Sequence, residues 1–179
     1  ELVEGMKIIL RLFDNAKGLF GVEDNKPDCI EKLKELTKDE PRMEVLKLQT
    51  KYPQGGERQL IYATTGRAIN SSMLPADAGC VVDNVATISA IYRAVAKGEP
   101  SMDRIVTVSG DAVHEPGNFK APFGMNQAEL IEAAEIVKSN KKITYINIEA
   151  AFDIETTSMK IGDTKVAFMY VWMFGIEFG

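Results

Sequence analysis

The chain has 179 residues, 45% of them hydrophobic and 26% charged, the composition of an ordinary globular protein rather than a disordered, collagen-like or coiled-coil one. With 21 Lys and Arg against 26 Asp and Glu, the net charge of −5 carries no basic block, which argues against backbone-driven nucleic-acid binding. Cys29 and Cys80 are too few for a disulfide framework, a four-thiolate zinc site or a four-ligand iron–sulfur cluster, and no apolar run reaches the ~20 residues of a membrane-spanning helix.

From Glu1 to Lys17, Leu2, Met6, Ile9, Leu10 and Phe13 recur at three and four positions, which predicts a helix stopped by Gly18. The pattern is already under way at Glu1, with no initiator Met, so the chain is expected to be a piece of something longer. Gly18 to Glu23 reads as a strand. Asp24, Asn25 and Pro27 supply cap and first-turn chemistry for a helix carrying Ile30, Leu33 and Leu36. Met43 to Leu48 alternates as a second strand, and Glu57 to Thr65 reads as a helix with Leu60, Ile61 and Thr64 on one face and Gly66 at its end. Cys80 to Val82 is a third strand, before a helix opened by Asp83 or Asn84 with Val85, Ile88, Ile91 and Val95 turned inward. Strands alternating with helices of this length predict an open α/β sheet.

Lys97 to Met102 (KGEPSM) reads as a linker, because Gly and Pro stop the helix and nothing apolar anchors the segment. The domain boundary is therefore expected there, with a first domain over 1–98 and a second over 102–179. The second is β-rich: Arg104 to Ser109 is a β-branched strand entering a hairpin, and Asn126 with Glu129 resembles a capping box for a helix burying Leu130, Ile131, Ala134 and Val137. Runs 143–148 and 166–172 read as further strands, and Phe168, Tyr170, Trp172 and Phe174 alternate as one packed sheet face.

The loop Thr50 to Leu60, TKYPQGGERQL, is the most informative segment. Gly55 and Gly56 stand where a loop meets a helix, so bare backbone N–H groups can face an anion or the polar edge of a flat ring, with Tyr52 offering an aromatic face and a hydroxyl. Pro-x-Gly-Gly is equally an ordinary turn, and Glu57 suits the positive end of the helix dipole on structural grounds alone. At the later helix start one of Asp83 and Asn84 is the cap, leaving the other, with Thr87, free to hydrogen-bond a ligand. The two helix starts are expected to lie side by side as half of a nucleotide cradle. Glu23-Asp24-Asn25 closes the first strand at its carboxyl end, the edge where open α/β sheets bind ligands, and is also a plain cap. His114 has no nucleophile or carboxylate constellation around it and reads as surface.

In this order, KYPQGGERQLIYATTGR, LPADAGCVVDNVATISAIYRAV and RIVTVSGDAVHEPGNF resemble the C subunit of the Rnf electron-transport complex and its relatives over roughly Glu1 to Ala134. Those relatives include the electron-transfer protein serving proline reductase, a cobalamin reductase of bacterial microcompartments and, more distantly, the flavin-bearing peripheral subunit of respiratory complex I. The resemblance implies a Rossmann-like first domain holding FMN and accepting hydride from NADH, then a soluble-ligand-binding β-grasp domain. It implies Tyr52, Gly55 and Gly56 against the flavin, Glu57 near the flavin or nicotinamide, and Asp83, Asn84 and Thr87 on the FMN ribityl or phosphate.

The family's upstream glycine-rich flavin loop and its ferredoxin-like cysteine runs are not in this sequence, so electrons would pass to iron–sulfur centres outside the chain, and the fragment alone is expected to be redox-incompetent. The implied partners are other electron-transfer subunits and a nicotinamide nucleotide, in the cytoplasm or at the cytoplasmic membrane face, without direct membrane insertion. The competing reading is a docking or scaffold module whose nucleotide site has decayed, which the departure from the family pattern after Ala134 favours.

Overall fold

The computed structural model describes residues 1–110, 113–134, 147–150, 159–161, 164–166 and 175–178. In chain order its elements are α1 (Leu2–Leu10), β1 (Ala16–Glu23), α2 (Pro27–Thr37), β2 (Met43–Leu48), α3 (Glu57–Thr65), β3 (Cys80–Val82), α4 (Val85–Tyr92), β4 (Asp103–Ser109), β5 (Gly117–Pro122), α5 (Gln127–Ala133), β6 (Asn147–Ala150), β7 (Met159–Ile161), β8 (Thr164–Val166) and β9 (Gly175–Phe178). They form two compact units, Glu1–Ser101 with Trp172–Gly179, and Met102–Val171. Helices and strands mix in open sheets, so the class is α/β.

In the first unit the sheet order is β2-β1-β9-β3. β1 and β2 are parallel, and β9 runs antiparallel to both β1 and β3, so β1, β2 and β3 all point the same way. Strand alternation sends Ala16, Phe20 and Val22 to one face, where they bury against Met6, Ile9 and Leu10 of α1, Ile30 of α2 and Ile88 of α4. Each large side chain so buried contributes about 1.5–3 kcal/mol of transfer free energy. Gly21 faces the other way: a Cβ there would stand 2.9 Å from Leu60 Cδ1 of α3. Thus α1, α2 and α4 cover one face and α3 the other.

Several elements differ from what local pattern predicts. The periodicity runs to Lys17, but α1 ends at Leu10, and Leu12 and Phe13 are exposed beyond it. The Arg42 guanidinium explains the stop: it donates to the carbonyls of Leu10 at 3.0 Å, Phe13 at 2.9 Å and Asp14 at 3.3 Å, partners a continuing helix would have used itself. Helix α2 is capped at Lys26 rather than at Asp24 or Asn25, with Pro27 in its first turn, and Leu36 is exposed. Val95, predicted to turn inward, is exposed because α4 ends at Tyr92 and Arg93–Lys97 widens into a π-helical turn closed by Gly98 in the left-handed conformation.

The second unit contains the predicted hairpin, β4 pairing antiparallel with β5 from Asp103↔Pro122 to Val108↔Gly117, and β6 adds to the other side of β4. Asn126 caps α5, its Oδ1 accepting from Ala128 N–H at 2.9 Å, and Leu130, Ile131 and Ala134 pack on Val106, Val108 and Ala121. The first unit's N-terminal stretch ends at Ser101 and the second unit begins at Met102. The tail is divided, however: β9 joins the first unit's sheet instead of belonging wholly to a 102–179 domain, because strand composition does not say which sheet recruits a strand. Val137, the aromatic alternation 168–174 and most of the runs 143–148 and 166–172 lie outside the described residues.

Candidate functional site

The carboxyl ends of β1, β2 and β3 share one edge of the sheet, and each leads through a short loop into a helix: 24–26 into α2, 49–56 into α3 and 83–84 into α4. The connection from β1 to β2 passes over one face and that from β2 to β3 over the other, so the chain reverses direction across the sheet at the edge strand β2. In open α/β sheets such a reversal leaves a crevice outside the strand ends. Depth along this edge is uneven. Gly175 of β9 pairs with both Leu19 of β1 and Val82 of β3, while β1 continues to Glu23, so β3 stops about 13 Å short of it at ~3.3 Å per residue.

The two helix starts therefore flank the edge from opposite faces, not side by side as expected. A cap motif marks where a helix begins; the face it covers is set by packing, Leu60 fitting the pit at Gly21 and Ile88 the cluster around Met6 and Phe20.

The start of α3 is built from tight turns. Gln54 N–H donates to Lys51 O at 2.7 Å and Gly56 N–H to Pro53 O at 2.8 Å, around a cis Tyr52–Pro53 peptide. Gln54 is buried, whereas Tyr52 is 87% exposed. One of the two glycine N–H groups expected to be bare is thus engaged. A Cβ on Gly56 would stand 2.6 Å from Gln59 Oε1 and 3.1 Å from Pro53 O, so a side chain there would have to displace the Gln59 side chain and push Pro53 O back by a few tenths of an ångström. Gly56 is also the N-cap of α3 and has no side chain to cap it, which leaves the first-turn amides without a side-chain acceptor among the described residues. Glu57 sits exposed in that first turn, where the helix dipole favours a carboxylate.

The start of α4 is organised differently. Asn84, buried, is the cap, its Oδ1 accepting from Ala86 N–H at 2.8 Å. That resolves the choice between Asp83 and Asn84 and leaves Asn84 its Nδ2 group. Asp83 is half-buried and makes no hydrogen bond or ion pair to the described residues; burial pushes its carboxyl above the usual Asp range. The half-buried Thr87 hydroxyl is likewise uncommitted among the described residues.

A third group emerges only in three dimensions. Asp24 Oδ1 accepts from Thr50 Oγ1 at 2.7 Å and from Thr50 N–H at 3.0 Å, and Asn25 N–H donates to Thr50 Oγ1 at 3.3 Å. Asp24 N–H in turn donates to Leu48 O at 2.8 Å. The Thr50 hydroxyl, then its amide, hold the Asp24 carboxyl below its usual range. The sequence signal is faint, an Asp and a Thr just past two separate strands, and it gains meaning only when those strands pair. His114 is exposed, with Nδ1 at 3.2 Å from Glu115 Oε1. Among the described residues no group of three or more His, Cys, Asp or Glu is placed to hold a metal ion.

Residues 1–93 match the family described as the Nuo51 FMN-binding domain. The C subunit of the Na+-translocating ferredoxin:NAD+ oxidoreductase complex of Acetobacterium woodii is 42% identical over 132 residues, which cover 74% of this chain and 30% of that protein. Its counterpart in the proton-translocating ferredoxin:NAD+ oxidoreductase complex of Clostridium ljungdahlii is also 42% identical over 132 residues, covering 74% and 29%. The C subunit of an ion-translocating oxidoreductase complex of Edwardsiella ictaluri is 36% identical over 141 residues, covering 79% and 18%. The chain spans less than a third of the length of these relatives. With the strand edge and both helix starts inside the matched residues, the chain carries the Nuo51 FMN-binding domain and belongs to the family of Rnf electron-transport complex C subunits.

Proposed function

We propose that the protein to which this chain contributes accepts hydride from NADH and passes electrons to iron–sulfur centres outside this chain, bound FMN supplying the isoalloxazine that carries them. The observation that carries the reading is the uncapped start of α3 opening at the strand edge, beside the reversal of chain direction. The residues present fit a flavin nucleotide. First-turn amides of α3 and the Gly55 backbone suit its polar ring edge or phosphate, and the exposed ring of Tyr52 suits stacking. Glu57 stands ready for the flavin or nicotinamide. Asp83, Thr87 and the Nδ2 group of Asn84 suit ribityl hydroxyls or phosphate; for the half-buried carboxylate of Asp83, hydroxyl donors are the better partners.

In this reading the first unit is Rossmann-like, supported by its parallel strands and two-faced helix cover, and the second is a β-grasp domain, supported by one helix packed on a three-stranded sheet. The partners are further subunits of an ion-translocating complex, like those named for the relatives, at the cytoplasmic membrane face. No described helix is long and apolar enough to cross a membrane.

The test is the spectrum of the full-length protein, expected to show flavin absorption that bleaches on adding NADH. Gly55→Val should abolish flavin retention by blocking backbone approach. Glu57→Gln, removing at most one hydrogen bond of about 1 kcal/mol, should slow NADH oxidation about fivefold. Unchanged flavin content and NADH oxidation in both variants counts against this site. A colourless protein that its partners still retain supports the docking module instead.

A further inference from the structure

We propose that Asp24 is a positioning residue for the 49–56 loop: its carboxylate holds Thr50 and thereby sets where Tyr52 to Gly56 stands over the strand edge. The inference rests on the reading of that loop as the flavin site. One oxygen, Asp24 Oδ1, receives both the hydroxyl of Thr50 at 2.7 Å and its N–H at 3.0 Å, and Asn25 N–H closes the ring onto Thr50 Oγ1 at 3.3 Å. Asp24 is itself anchored through its N–H on Leu48 O at 2.8 Å, so the clamp joins the ends of two adjacent parallel strands. Thr50 is two residues before Tyr52, and the backbone hydrogen bonds of the turns that follow go to Lys51 O and Pro53 O, within the loop. Among the described residues no side chain other than Asp24 hydrogen-bonds to the 49–56 backbone. Asp24 does not cap α2, since that cap is Lys26, so its carboxylate has no competing local duty.

Because a single oxygen accepts both bonds, Asp24→Asn can keep the geometry without the charge, whereas Asp24→Ala cannot. The experiment measures amide hydrogen exchange and FMN titration on the full-length protein. In Asp24→Ala the Gln54 and Gly56 amides should exchange about tenfold faster and FMN bind about tenfold more weakly, while amides of α1 and β1 keep their protection. Asp24→Asn should restore both to within about threefold, and Thr50→Val, which keeps the N–H donor, should fall between. Unchanged loop exchange in Asp24→Ala overturns the proposal, as does faster exchange spread through α1 and β1, which would make Asp24 a general stabiliser. Weaker FMN binding with unchanged loop exchange also overturns it, because Asp24 would then touch the ligand directly. If the wild-type protein takes up no FMN, the flavin reading fails by itself, and exchange at Gln54 and Gly56 still decides the clamp.

Discussion

The starts of α3 and α4 solve the same problem in opposite ways. Both must do something with first-turn N–H groups that have no partner in the helix. At α4 the buried Asn84 supplies an acceptor for one of them, Ala86 N–H, and the side chains left uncommitted among the described residues are Asp83 and Thr87. At α3 the cap is glycine, the backbone is left open, and the side chains nearby, Tyr52 and Glu57, are exposed. A chain that places one start of each kind along one sheet edge offers main-chain donors from one face and side-chain groups from the other.

Substitutions that disturb one start without the other sharpen the contrast. The largest effect is expected for Gly5→Val. A Cβ at Gly5 would meet the Ile88 carbonyl, so α1 and α4 must move apart, at a cost of about 3 kcal/mol in urea denaturation, with the turns of the 49–56 loop still protected in hydrogen exchange. A loss of loop protection as large as that in α4 would mean the two starts are not independent. Asn84→Ala removes the closed cap and should cost about 1 kcal/mol, read as a lower melting temperature; no change would show that α4 does not depend on its cap.

The smallest effect is expected for Asp83→Asn, and its sign is opposite. Burial raises the Asp83 pKa, so between the ordinary Asp value of 3.8 and the raised value the folded state binds more protons than the unfolded one, and stability falls as pH rises through that window. The variant should be slightly more stable at neutral pH and flatter across that window in thermal melts. A variant less stable than wild type at neutral pH would mean the carboxylate has a partner.

Legibility in the sequence followed the range of the forces involved. β2, β3 and α3 have the bounds that alternation, β-branching and a closing glycine predict, and Gly66 stands at φ 72 as a left-handed cap. These signals act within one turn or one strand. The same kind of signal misled where a distant residue intervened: Leu12 and Phe13 extend the apolar rhythm of α1, yet Arg42, remote in sequence, takes the carbonyls that would have continued it. Asp24 read as a cap because Asp after a strand usually is one; its partner Thr50 lies 26 positions away.

The amino-acid order by itself determined the alternation of strands and helices, the glycine pair opening α3 and the Asp-Asn start of α4. Each depends on periodicity, backbone freedom or a side chain bonding within a few residues of itself. Only the tertiary structure decided that α3 and α4 cover opposite faces, that β9 enters the first sheet, and that Asp24 holds the loop ahead of α3. Those outcomes come from packing and pairing between segments far apart in the chain, where the free energy depends on which surfaces meet and not on any residue's local preference.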